Sequence, residues 1–181
     1  MVELRKFRRD DFPYLMEWIT SPALLYQWAG TIFSYPLTPR QLDNYMREAE
    51  GPGEPSRLIY AVVDEATKEN IGHIELNSID RKNRSACICR VLVGPEIQRG
   101  RGIGQEMMRK ILRVGFLDLD LHRIELNVFD FNLSAIACYE KAGFIREGLH
   151  RDVRRIGGEY WSLYRMSMLK DEWNKSSSAG K

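Results

Sequence analysis

One stretch limits the folds open to this chain more than any other. Val91-Leu92-Val93 is the apolar end of a strand, Gly94-Pro95 breaks it, and Arg99-Gly100-Arg101-Gly102-Ile103-Gly104 is a basic, glycine-rich loop. Beyond it Met107, Met108, Ile111, Leu112, Gly115 and Phe116 are apolar or small. Gln105, Glu106, Arg109, Lys110 and Arg113 take the opposite face, a spacing that predicts an amphipathic helix. Strand, loop and helix in that order place free N–H groups and the positive end of a helix dipole at the loop. Alternate glycines let the backbone turn sharply and come close to a ligand, and Arg99 and Arg101 add positive charge. The loop is expected to cradle a phosphate or pyrophosphate.

Two common cradles are excluded. A P-loop needs Gly-Lys-Ser/Thr, and Gly104 is followed by Gln105 and Glu106. A dinucleotide fingerprint needs Gly-x-Gly-x-x-Gly; counted from Gly100 its last position holds Gln105, and counted from Gly102 it holds Met107. The strands ahead of the loop also argue against a dinucleotide fold, because three precede it as an antiparallel meander: Leu58 to Val63, Ile71 to Ile79 and Ser85 to Val93.

The rest of the chain reads as one domain over residues 1–173, followed by a polar, Ser-rich tail at 174–181 expected to be disordered. Val2 to Phe7 alternates as a half-exposed first strand. Asp10 or Asp11 is expected to cap a helix through Trp18 and Ile19, and Ser21-Pro22 and Thr38-Pro39 open two more. After the loop helix, Arg123 to Phe129 is a strand. Asn132 opens a short helix that Gly143 ends. Phe144 to Val153 and Glu159 to Leu169 pair as a hairpin turned at Gly157-Gly158.

Composition excludes several classes. The formal charge is +2 over 181 residues, so no global field draws nucleic acid. No apolar run is long enough to span a membrane and no leader pattern opens the chain, so a cytoplasmic protein is expected. Cys87, Cys89 and Cys138 read as small buried hydrophobes in a reducing cytoplasm. No second Cys or His pair has zinc spacing, so no metal is expected.

Arg99-Gly100-Arg101-Gly102-Ile103-Gly104 resembles the acyl-coenzyme A motif Arg/Gln-x-x-Gly-x-Gly of the GNAT N-acetyltransferase superfamily. Asn132-Leu133-Ser134-Ala135-Ile136-Ala137-Cys138-Tyr139-Glu140-Lys141-Ala142-Gly143-Phe144 resembles that superfamily's second signature, at the usual distance and in the usual order. The last hairpin is similar to the Rim-type branch, which includes ribosomal-protein N-terminal and spermidine acetyltransferases. The resemblance implies an α+β fold: a twisted, mostly antiparallel sheet of about seven strands flanked by helices and splayed beside the glycine loop.

It also implies a reaction, direct acetyl transfer from acetyl-CoA to a primary amine without a covalent enzyme intermediate. Arg99, Gly100, Arg101, Gly102, Ile103 and Gly104 would hold the pyrophosphate. Backbone N–H groups near Leu92 and Val93 would meet the thioester carbonyl. Asn132 matches the residue that binds the pantetheine arm, and Tyr139 the donor to the departing sulfur. For the base, the positions that carry an acid in many relatives hold Cys87, Cys89 and Arg90. Glu75, beside His73 on one strand face, is the candidate, against a solvated-face reading and against a water chain. The acceptor, a peptide N-terminus or a small-molecule amine, is expected among Trp18, Tyr26, Trp28, Phe33, Tyr35, Tyr160 and Trp161. Arg151, Arg154 and Arg155 beside them weigh against a polyamine; polyamine and aminoglycoside remain the alternative acceptors. A non-catalytic acyl-CoA-binding or protein-interaction module is the alternative class. The chain is expected to act as a monomer or homodimer.

Overall fold

Alternation in the first half of the chain builds a meander, and the glycine loop then forces a crossover. The computed structural model describes residues 1–49, 53–94 and 100–178. Strands β1 (Val2–Lys6), β2 (Leu58–Asp64), β3 (Asn70–Asp80) and β4 (Ser85–Val93) pair antiparallel in sequence order. Helices α1 (Phe12–Trp18), α2 (Pro22–Ala29) and α3 (Pro39–Arg47) lie between β1 and β2 in the chain. After the loop, α4 (Ile103–Arg113) runs into a π-turn at Val114–Asp118 and returns the chain to β5 (Arg123–Phe129). That crossover allows β4 and β5 to pair in parallel, which a tight turn cannot do. Helix α5 (Leu133–Lys141) leads to β6 (Ile145–Ile156) and β7 (Glu159–Leu169), and α6 (Lys170–Ser178) follows. The sheet order is β1-β2-β3-β4-β5-β7-β6. The expected seven-stranded, mostly antiparallel sheet flanked by helices is therefore the fold.

Each face of the sheet carries its own core. Helices α4 and α5 bury Met107, Met108, Ile111, Leu112, Ile136 and Tyr139 against Ile74, Ile88, Ile124 and Leu126. On the other face, α1 to α3 bury Leu15, Leu25, Trp28, Leu42 and Tyr45 against Ile59, Ala61 and Leu92. The hairpin turn at Gly157 and Gly158 has positive φ at both residues (55° and 94°), as a primed turn requires.

Two local expectations change. Asp11 does stand at the N-cap of α1, but its side chain caps no helical N–H there. Its buried carboxylate accepts from Arg5 (2.6 Å), the Arg8 backbone (2.9 Å) and Asn70 (3.1 Å), tying β1 to β3. The tail is helical as far as Ser178 instead of irregular from 174. Trp173 packs its ring 5.5 Å from Phe116 in the π-turn, an apolar anchor that a Ser-rich composition hides. Residues 179–181 lie outside the described chain.

Gly94, where β4 leaves the sheet for the loop, is a steric requirement. Its N–H donates to Ile71 at 3.0 Å, and a Cβ there would stand 2.2 Å from the Trp18 indole. An aromatic ring cannot yield as a flexible chain end can. Gly94→Ala should therefore cost about 1–3 kcal/mol, read as a lower urea midpoint with an unchanged slope. A midpoint like the parent's would show that Trp18 is free to move aside.

Candidate active site

The site begins with one extra residue in β4. Glu75 pairs with Cys89 and His73 with Leu92, so the single β3 residue between them, Ile74, faces both Arg90 and Val91. Arg90 takes φ 51°, a left-handed conformation that side-chain-bearing residues disfavour. This is a β-bulge, and it reverses which face each residue serves. Ahead of it Ala86 and Ile88 point into the α4/α5 core. Beyond it Val91 and Val93 pack there, and Leu92 turns to the other core. Pairing of β4 with β5 ends at Ile88–Leu126. From Cys89 to Val93 the β4 edge is released from β5, and the sheet opens.

The glycine loop closes one end of that opening. Gly100 and Gly102 have φ of 75° and 82°, and a Cβ at either would meet nothing within 4 Å. These glycines are needed for backbone conformation, and the space beside them is open. Gly102 is the N-cap of α4, and among the described residues no side chain caps it, which leaves the first N–H groups of the helix to a ligand. Gly104 has a different reason, since a Cβ there would come within 3.1 Å of Cys138 Sγ on α5. Gln105 Nε2 donates to the Cys138 carbonyl at 2.5 Å, and the two helices are thereby fixed as facing walls.

Asn132 caps α5, accepting from the Ala135 N–H (3.3 Å) and from Ser134 Oγ (3.2 Å). Seven residues on, two turns along the same helix face, Tyr139 packs against Phe144 with 8% of its surface exposed. Among the described residues its hydroxyl has no hydrogen-bond partner. Burial pushes its phenol above the usual value, so it is protonated at neutral pH. Both residues line a cleft of about 800 Å³ that runs from the glycine loop, through the gap between β4 and β5, to α2 and the last hairpin.

Of the residues expected from the sequence, Leu92, Val93, Gly100, Gly102, Ile103, Gly104, Asn132 and Tyr139 line this cleft. Arg101 is exposed and does not line it. Arg99 lies outside the described residues. Glu75 is fully buried, which overturns the solvated-face alternative, and it sits behind the wall with Arg90 between it and the cleft. Its Oε2 accepts from Tyr45 Oη and from Arg90, each at 2.5 Å, and Arg57 is 3.1 Å from Oε1. Burial raises the Glu75 pKa, and the Arg90 and Arg57 charges pull it back. His73 is also fully buried, with Nδ1 2.9 Å from the Arg90 carbonyl.

The aromatic residues expected to hold an acceptor fall into two groups. Trp28 and Phe33 stack on each other, 5.6 Å apart; Phe33 stays in the core, while Trp28 also lines the cleft. Tyr26 and Trp161 join Phe129 and Phe131 in an aromatic cluster with centroids 4.8–6.5 Å apart, of which Tyr26 and Phe129 line the cleft. Of the three hairpin arginines only Arg154 lines the cleft. Sequence reasoning missed Gln27, Asn127 and Lys141, which also line it, and the Tyr45–Glu75–Arg90–Arg57 cluster. The Cys87 and Cys89 sulfurs are 3.5 Å apart on the face shared with Glu75. Among the described residues no three His, Cys, Asp or Glu side chains converge as metal ligands, and no helix is long and apolar enough to cross a membrane.

A split sheet with a glycine-capped helix at one end and a buried tyrosine in its wall defines an acyl-CoA-using transferase. Residues 2–145 match the acetyltransferase (GNAT) domain, and the chain belongs to that family. It is 35% identical over 112 residues to a spermidine N(1)-acetyltransferase of Vibrio cholerae, covering 62% of this chain and 64% of that protein. It is 31% identical over 124 residues to the L-amino acid N-acetyltransferase AaaT of Escherichia coli, covering 68% and 74%. The crystal structure of the Vibrio cholerae spermidine N-acetyltransferase in complex with CoA and spermine superposes with a TM-score of 0.82 at 26% identity, covering 96% of this chain and 98% of that one. The protein is an acetyl-CoA-dependent N-acetyltransferase.

His73 gives the site a pH signature. Burial holds its pKa near about 4 in the fold, against ~6.5 in an unfolded chain. Between those values the unfolded chain binds the extra proton, so the contribution is complete above about pH 6.5 and is lost as pH falls toward 4. At about 1.4 kcal/mol per pH unit the loss is roughly 3 kcal/mol. Unfolding free energies of the parent and His73→Gln, compared from pH 7 to 4, should converge by about that amount. Parallel curves would mean that His73 is protonated inside the fold.

Proposed function

We propose that acetyl-CoA lies along the split, with its pyrophosphate on Gly100 to Gly104 and the α4 N-terminus. Its pantetheine arm runs between Leu92–Val93 and Asn132, and its sulfur sits near Tyr139. What carries this reading is the continuity of one cleft from the glycine loop to Tyr139 and on to α2. Arg99 and Arg101 contribute charge to the cradle. Backbone N–H groups of the released β4 edge stabilise the oxyanion that forms when the amine attacks the thioester carbonyl. As the intermediate collapses, the carbon–sulfur bond breaks and Tyr139 gives its proton to the thiolate. The proton lost by the amine leaves through water, since no carboxylate or imidazole lines the cleft among the described residues.

The same inventory bears on the acceptor. Its polar lining at the far end is Gln27, Asn127 and Arg154. A polyamine carries further cationic nitrogens that need acids, and none lines the cleft among the described residues. The lining suits an amine whose remainder is neutral or anionic, such as a peptide N-terminus or an amino acid. Some relatives act on spermidine and another on L-amino acids, so membership of the family leaves this choice to the cleft.

Tyr139→Phe keeps the ring and removes the donor. Turnover should fall about a hundredfold, while coenzyme A affinity stays within about twofold. Parent-like turnover would return Tyr139 to a packing role. A panel of amino acids, peptides and polyamines with acetyl-CoA, read by thiol release, tests the acceptor; spermidine as the best substrate would overturn the charge argument. Reversing charge at Arg99 and Arg101 together should weaken coenzyme A by tenfold or more at low salt, about 1.4 kcal/mol in calorimetry. Unchanged affinity would remove the two arginines from the cradle.

A further inference from the structure

Arg90 is held by its own backbone and by its side chain at once. Trp28 Nε1 donates to the Arg90 carbonyl at 2.9 Å, and His73 Nδ1 lies 2.9 Å from the same oxygen. With His73 neutral, the proton sits on Nδ1 and the ring donates. The guanidinium donates to Glu75 at 2.5 Å and lies 5.3 Å from the centre of the Tyr45 ring. Tyr45 Oη donates to the same carboxylate oxygen, and Arg57 closes the cluster from the far side. Three elements thus converge on one left-handed residue: α2 through Trp28, α3 through Tyr45, and β3 through His73 and Glu75.

That residue decides where the cleft wall lies. The bulge turns Leu92 and Val93 relative to Cys89 and frees their edge from β5. Glu75 itself does not reach the cleft. We propose that Glu75, with Trp28 and His73, is a positioning device: by clamping the Arg90 bulge it aims the β4 edge at the thioester carbonyl, and it takes no proton from the amine. The proposal rests on the acetyl-transfer reading above and assigns Glu75 a different role from that of a base.

Three variants test it. Glu75→Gln keeps shape and removes charge. Trp28→Phe keeps a ring and removes one N–H donor. Glu75→Gln combined with Arg90→Gly supplies a residue that adopts positive φ without help. Misplacing a reacting group by a fraction of an ångström is costly in rate, so Glu75→Gln and Trp28→Phe should each lower kcat about tenfold. Coenzyme A affinity and the alkaline limb of the pH–rate profile should stay as in the parent. The double variant should recover most of the lost rate, which no replacement at position 90 could do for a missing base.

If Glu75→Gln alone abolishes the alkaline limb and glycine at 90 restores nothing, Glu75 is the base and the proposal fails. Parent-like kcat in both single variants also ends it. Circular dichroism checks folding; should Glu75→Gln not fold, Trp28→Phe decides, a lower kcat with coenzyme A affinity, acceptor KM and alkaline limb unchanged supporting the clamp and any other result ending it. A parent that binds coenzyme A yet releases no thiol with any amine defeats the transfer reading, and this proposal with it. An active parent with unaffected variants defeats the clamp only.

Discussion

The site depends on one residue more in β4 than in the stretch of β3 that faces it. A continuous ladder from β3 through β4 to β5 would have left no room between strands for a ligand. The bulge at Arg90 ends that ladder after Ile88. It also sends Leu92 into the core beneath α1 to α3 and Val91 and Val93 into the core beneath α4 and α5. Left-handed geometry at a residue with a side chain costs on the order of 1–3 kcal/mol and persists only where the surroundings enforce it. Here the surroundings are a buried carboxylate between two guanidinium groups, with a tyrosine hydroxyl on the same oxygen. Such an ion cluster is weak evidence for stability, because desolvation offsets most of the attraction. Its better use is to select one backbone geometry among several.

The two helical layers share the work unequally. Helices α4 and α5 present Ile103, Gly104, Asn132 and Tyr139 to the cleft, and Gln105 with Gly104 sets their separation. The α1–α3 layer contributes Trp28 and Leu24 to the cleft, and it also covers β3, where it turns polar strand positions into a buried network. A change in α3 at Tyr45 would therefore be felt in the cleft wall, although α3 lends the cleft no residue among those described.

What was legible in the sequence follows from locality. The period of α4, the Asn132 cap and the Gly157-Gly158 turn are each fixed by neighbours within a few positions, and each formed as read. Glu75 misled because His73 and Glu75 alternate with apolar residues, which is the pattern of a solvent-facing strand side. Only tertiary packing of Tyr45 and Trp28 over that side buries it. The bulge was invisible for a similar reason. Arg90 is neither glycine nor asparagine, and its conformation is imposed by partners 15 to 62 residues distant. The Ser-rich end likewise gave no hint that Trp173 would dock on Phe116.

The electrostatics of the cleft bear on how an amine becomes nucleophilic there when the described lining residues include no carboxylate to deprotonate it. A primary alkyl amine has a pKa of ~10.4 in water, so little is neutral at physiological pH. Within the cleft it would meet Arg154 and Lys141, with the dipole end of α4 beyond, and no acid among the described lining residues. Like charge and partial desolvation both disfavour the ammonium form and lower that pKa. Each unit lowered costs about 1.4 kcal/mol of ammonium binding and raises the neutral fraction tenfold. An α-amine starts nearer ~8, so it needs less of this help, and a carboxylate carried by the same molecule would be attracted by the very charges that repel the ammonium. On the proposed reading, a cleft with no acid among its described lining residues favours an acceptor that arrives with a larger neutral fraction.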